Sequence, residues 1–154
     1  MTGATGRPRI GYPSVKLAAA VKRVIGWDYS SEAALVGAGY LGRALLRHSG
    51  FSEQNLSIVV AFDTDRERIG QTVANVKIES AAKIAKIVRE REIKLAILCV
   101  PAGAAQQCAD ALVEGGVRGI LNFTSAVLSV PVAVTVQNVD LAQSLAVLSH
   151  SIKV

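Results

Sequence analysis

Aromatic residues and cysteines are rare in this chain, and long apolar runs are missing from it altogether. Phe, Tyr and Trp supply only 5% of its 154 residues, although 51% are hydrophobic. Its core must therefore be built from Ala, Val, Ile and Leu, the composition of a parallel sheet covered on both faces by helices. The 2 cysteines, Cys99 and Cys108, have no second pair or nearby histidine. That excludes a disulfide framework and a zinc site, and leaves buried free thiols. No stretch reaches the roughly 18 uninterrupted apolar residues of a membrane span. Thr, Gly, Arg and Pro stand where a secretion signal would have its apolar segment. These absences point to a cytoplasmic protein with no membrane contact, one domain in size.

Acidic residues are scarce at the start. Arg7, Arg9, Lys16, Lys22 and Arg23 face only Asp28 within residues 1–30, which accounts for most of the formal net charge of +5. The high isoelectric point thus belongs to an N-terminal segment and not to the body of the chain. A basic arm can touch nucleic acid, but a solvated helix face behind a flexible leader is the simpler explanation.

What the chain does have is a glycine motif in a telling context. The strand-like run from Ala33 to Val36 leads into Gly37-Ala38-Gly39-Tyr40-Leu41-Gly42 and then an apolar helix pattern. A second apolar run, Ile58 to Phe62, ends in Asp63 followed by Thr64. Strand, GxGxxG, helix, strand and acid in this order form the fingerprint of a dinucleotide site. Gly37 permits the tight turn, Gly39 leaves room for a pyrophosphate, and Gly42 lets the helix lie close to the strand. Free N–H groups at the helix start suit phosphates. Asp63 is placed to accept hydrogen bonds from the hydroxyls of an adenosine ribose.

The remaining pattern alternates strands and helices. Residues 1–13 form a leader. Val15, Leu17, Ala18, Val21, Val24 and Ile25 then recur at helical spacing between Ser14 and Gly26. Residues 1–30 are therefore read as a basic leader with a linker helix, and residues 31–154 as the nucleotide-binding domain. Within the domain, helices are expected over residues 41–48, 81–91, 104–114 and 141–150. Strands are expected over 56–62, 76–78, 95–100, 119–123 and 132–139. Six parallel strands in the order 3-2-1-4-5-6 give a doubly wound, Rossmann-like α/β fold. Its ligand crevice lies at the carboxyl edge where the order reverses. Val100, Pro101 and Ala102, with Asn122, Phe123 and Thr124, end the fourth and fifth strands and should line the nicotinamide half. The amide of Asn122 could serve a carboxamide ligand, or it could simply form a turn.

From Val36 to about His150 the chain resembles the nucleotide-binding domain of the Rex family, the bacterial redox-sensing transcriptional repressors. The segments that carry the resemblance are VGAGYLGRALL (36–46), SGF (49–51) and AFDTD (61–65). Residues 97–123, VPVAVTVQNVDLAQSL (130–145) and AVLSH (146–150) continue it. Arg9-Ile10-Gly11-Tyr12 is similar to the segment joining that family's two domains. The resemblance implies NAD(H) as ligand, sensing of the NADH/NAD⁺ ratio, and a homodimer. It also implies a C-terminal helix that reaches the partner, here with Leu141 and Leu145 on its apolar face. Family members commonly have a Tyr where His48 stands, engaging the acid of the Asn-Val-Asp motif across the dimer. Asp140 keeps that acid, and a His48–Asp140 contact would respond to pH near neutrality. Rex proteins carry a winged-helix DNA-binding domain ahead of the linker, where this chain has about ten residues, so DNA binding by this chain alone is not expected.

Catalysis is not expected either. After six strands no residues remain for a substrate domain, and no Lys or Tyr is placed at the crevice. A CoA-binding or NADP-binding regulatory subunit of a metabolic complex is the alternative. Asp63 would repel a phosphorylated ribose, whereas Arg66 and Arg68 could meet one.

Overall fold

Short runs of small and branched apolar residues, buried on both sides, make the central layer. The computed structural model describes residues 31–152. The basic leader, the helix expected after Ser14 and the Arg9–Tyr12 segment lie outside the described residues. β1 (Ser31–Val36) is followed by α1 (Tyr40–Leu46), α2 (Gly50–Glu53) and β2 (Leu56–Asp63). A hairpin of β3 (Thr72–Val73) and β4 (Val76–Ser80) leads through a single 3₁₀ turn to α3 (Ile84–Glu90). β5 (Leu95–Leu98), α4 (Ala102–Glu114), β6 (Gly119–Asn122), β7 (Thr135–Asn138) and α5 (Leu141–Ser151) complete the chain.

The strands form one sheet in the order β3-β4-β2-β1-β5-β6-β7. All neighbours are parallel except the β3–β4 pair. The six expected strands are there in the expected order, and the Rossmann-like α/β class holds. β3 is an addition at the edge. Strand alternation divides the core into two layers. Ala34, Val36, Val60, Phe62, Ala96, Leu98 and Ile120 face α3 and α4, which bring Ile84, Val88, Ala105, Ala109 and Leu112. Leu35, Ala61, Ile78 and Ile97 point the other way, toward Ala38 and Leu46.

Several element limits differ from those read in the sequence. The last strand begins at Thr135 and not Val132, because the Val134 N–H donates to the Pro131 carbonyl at 2.9 Å and holds a turn there. α4 begins at Ala102, directly after Pro101, whose fixed φ suits a helix entrance. α1 ends at Leu46, and the residues that follow form the additional short helix α2.

Candidate functional site

Each strand at the carboxyl edge is extended by one rung before its chain departs. The N–H of Gly37 donates to Phe62, that of Cys99 to Val36, and that of Phe123 to Leu98. The loops after β1, β5 and β6 therefore leave from one fixed ledge, and β1 and β5 are the strands whose loops diverge there.

The glycine loop is shaped by contacts that side chains would block. Gly37 has φ +99°, and a Cβ there would strike the Cys99 carbonyl of the neighbouring loop. A Cβ on Gly42 would strike the Gly37 carbonyl and stand 3.2 Å from Leu35 Cδ2. Gly39 is different: a Cβ there would meet nothing closer than an Arg68 nitrogen at 4.0 Å. The space over Gly39 is thus open, as a pyrophosphate against bare backbone requires. Gly39 precedes α1 with no side-chain cap, so the first N–H groups of that turn have no intrahelical partner. Tyr40 projects from the loop almost fully exposed, with the Arg43 guanidinium 5.5 Å from its ring centre, and Leu41 is exposed beside it.

Asp63 ends β2 beside this loop and is buried. Its Oδ2 accepts the Ala38 N–H at 2.8 Å, and its Oδ1 accepts the Asp65 N–H at 2.9 Å. Arg68 Nη1 stands 3.4 Å from Oδ2. Burial pushes this carboxyl up, but the N–H groups of Asp65 and Ala38 and the Arg68 charge more than offset it, holding the group below its ordinary value. Asp63 is therefore an anion at neutral pH. Thr64, next along, is exposed.

On the far side of the crevice, Pro101 precedes α4, whose opening residues Ala102 and Gly103 are exposed. Val100 is partly covered. Asn122 lies at the same edge. It is fully buried, and its Nδ2 donates to the Ala126 carbonyl at 3.0 Å and to Asn138 Oδ1 at 2.9 Å. Its Oδ1 accepts the Thr124 N–H at 3.0 Å and the Thr124 hydroxyl at 2.7 Å. All four hydrogen-bonding positions of the amide are filled. Asn122 thus holds the turn after β6, with its amide satisfied from within the chain. Thr124 and Phe123 are carried by that turn at the rim, half-buried.

Two residues unforeseen in the sequence order this rim. Asn138 sits beside Asn122 in the β6–β7 register, so the two strand ends are joined by their side chains. Gln106 on α4 clasps Ser129, giving Nε2 to its carbonyl and taking its N–H on Oε1, both at 2.8 Å. Paired amides at facing strand ends are a usable signal for the first. Nothing in the sequence marks the second.

His48 and Asp140 are not together within one chain. α1 returns from the carboxyl edge, so His48 lies at the amino edge, exposed, with its ring edge-on to Phe51 at 5.1 Å. Asp140 follows β7 at the carboxyl edge and caps α5, its Oδ1 accepting the Gln143 N–H at 2.9 Å. Leu141 and Leu145 on α5 are exposed. Cys99 and Cys108 are free thiols; burial pushes Cys99 up to about 12 and raises Cys108 as well. Among the described residues there is no cluster of metal-binding side chains and no helix long and apolar enough to cross a membrane.

Glycine loop, strand-end acid and switch-point crevice define a nucleotide-binding Rossmann-like domain, and residues 28–126 match the family model of the CoA binding domain. The chain is 41% identical over 138 residues to the redox-sensing transcriptional repressor Rex of Chloroflexus aurantiacus, covering 90% of this chain and 65% of that protein. Against Rex of Treponema denticola it is 38% identical over 148 residues, covering 96% and 70%. Among solved structures, the Rex-family repressor RSP in complex with β-NADH superposes with a TM-score of 0.78 at 29% identity, over 92% of this chain and 69% of that one. RSP with β-NAD⁺ and operator DNA gives 0.79 at 28% identity, over 96% and 68%. The chain belongs to the Rex family of redox-sensing transcriptional repressors. It spans about two thirds of the length of these relatives.

Proposed function

We propose that this domain binds NAD(H) and reports the NADH/NAD⁺ ratio as a homodimer, in the service of transcriptional control in the cytoplasm. The observation that carries this is the buried Asp63 carboxylate, hydrogen-bonded to the glycine loop beside the open space over Gly39, and it is supported by the similarity to RSP, which is solved in complex with β-NADH and with β-NAD⁺. The loop Gly37, Ala38, Gly39, Tyr40, Leu41 and Gly42 would border the pyrophosphate, and Asp63 and Thr64 the adenosine ribose. Val100, Pro101, Ala102, Phe123 and Thr124 would border the nicotinamide. The cofactor differs between its two forms by a hydride, which removes the positive charge of the ring.

Preference for one form then follows from the rim. The segments 100–103 and 122–125 contain no acidic residue that could offset a cationic ring. Covering such a ring without a counter-charge is unfavourable, so this rim favours the neutral, reduced form. The same segments offer no His, Lys or Tyr as acid or base, which supports sensing over catalysis. A sensor needs only differential affinity between two states. Because His48 and Asp140 lie at opposite edges of one chain, their pairing is proposed between the two copies.

Calorimetric titration of the chain with NADH, NAD⁺, NADPH and CoA tests this. NADH is expected to bind at least about tenfold tighter than NAD⁺, about 1.4 kcal/mol, with CoA silent. His48→Ala and Asp140→Ala are expected to weaken NADH binding or loosen the dimer; no change in either ends the His48–Asp140 proposal. The match to the CoA binding domain is what makes CoA the necessary competitor. Tightest binding of CoA or NADPH would replace the redox sensor with a metabolic regulatory subunit.

A further inference from the structure

The glycine loop meets a doubly charged pyrophosphate with one donor already engaged. The Ala38 N–H, at the centre of the motif, is bonded to Asp63 Oδ2 at 2.8 Å and buried. That bond also fixes an anionic carboxylate beside the place where phosphate charge would arrive. Backbone amides alone leave this arrangement short of positive charge.

Arg68 is the cation placed to supply it. Its backbone is anchored: the Arg68 and Ile69 N–H groups both donate to the Asp65 carbonyl at 3.0 Å, and the Gly70 N–H donates to Ile78 of β4 at 2.8 Å. The side chain is one-third exposed and reaches back over the loop. Its Nη1 is 3.4 Å from Asp63 Oδ2, its Nε is 3.6 Å from Asp65 Oδ2, and a nitrogen stands at the border of the open space over Gly39. Neither ion pair is short, and neither is the bidentate fork that an arginine makes with a committed partner. Among the described residues, Arg43, one turn into α1, lies over the Tyr40 ring.

We infer that Arg68 is the phosphate-binding residue of the dinucleotide site, held ready by Asp63 and Asp65. When a ribose takes Asp63, the guanidinium leaves Oδ2 and turns to the phosphates, with Asp65 as its remaining tether. One side chain thereby guards the ribose acid in the free protein and neutralises the pyrophosphate in the complex. This inference rests on the NAD(H) reading of the site.

The test compares ligands with and without phosphate. NADH, ADP and adenosine are titrated into the intact chain, Arg68→Gln, Arg68→Lys and, as a control, Arg66→Gln. Arg68→Gln is expected to weaken NADH and ADP by about tenfold or more, leaving adenosine unchanged or slightly tighter because Asp63 is unguarded. Arg68→Lys should recover part of the ADP affinity, and Arg66→Gln should change it by less than about threefold. A purely structural role for Arg68 would move adenosine and ADP together, and that result, or unchanged ADP binding, overturns the inference. If the unmodified chain binds neither NADH nor ADP, the dinucleotide reading itself falls. If it binds both and Arg68→Gln matches it, only the role of Arg68 falls.

Discussion

At the scale of single residues, Asp63 links folding to ligand recognition. Its two oxygens hold the amides of Ala38 and Asp65, so the carboxylate shapes the loop that it also serves. An asparagine has one acceptor where two N–H groups need one each, and one amide would face an NH₂. Asp63→Asn is therefore expected to lower stability by about 1–3 kcal/mol at neutral pH. The folded carboxyl lies below its ordinary 3.8, so its contribution is present above that value and is lost as pH falls through the folded value. Thermal unfolding between neutral and strongly acid pH should show a fall in Tm for the parent below about pH 4. The Asn variant should lack that part of the fall, and parallel curves would refute this account. Asp63 was legible in the sequence because its meaning depends on local order: apolar strand, acid, and a glycine loop about 20 residues earlier. The state of Asn122 was not, because its partners Ala126 and Asn138 come from a turn and another strand. A polar side chain at a strand end looks the same in sequence whether its hydrogen bonds are open or filled.

Elements became legible in proportion to their length and burial. β1, β2, β5 and β6 read as continuous apolar runs because helices or loops cover both their faces. β3 has 2 residues and α2 has 4, too few for either periodicity to show. The β3–β4 hairpin is made by its turn: Ala74 has φ +50° and Asn75 φ +66°, the two left-handed positions of a type I′ connection. Asn75 suits its place, but Ala74 occupies one where glycine is usual, so the turn signal was muted. An L side chain in that conformation costs roughly 1–2 kcal/mol, and glycine's extra freedom in the unfolded chain takes back part of the gain. Ala74→Gly is expected to stabilise the domain by about 0.5 kcal/mol, a rise of roughly 2 °C in Tm. A lower Tm in a thermal melt would mean that the alanine methyl contributes packing that outweighs its backbone strain.

At the scale of the whole molecule, α5 is left uncovered by the described residues 31–152. Its spacing places Leu141, Leu145, Leu148 and Ile152 along one stripe, and all four are 58–72% exposed. No residue of α5 is buried, and an isolated helix of 11 residues is marginal in water, even with the Asp140 cap. Each large apolar side chain moved from water to a protein surface contributes about 1.5–3 kcal/mol. The stripe therefore needs a surface beyond the described residues, and the proposed second copy provides one by symmetry, since each chain offers the same helix. The double substitution Leu145→Glu with Leu148→Glu places charges in that contact without touching the sheet. Sedimentation should show the parent as a dimer and the variant as a folded monomer with the parent's secondary structure by circular dichroism. Because Asp63 ends β2 and the glycine loop follows β1, with β5 and β6 between them and β7, the variant should still bind NADH at one site per chain. A variant that remains dimeric would mean that another face joins the copies. Loss of NADH binding by a folded monomer would instead mean that the partner completes the nucleotide site.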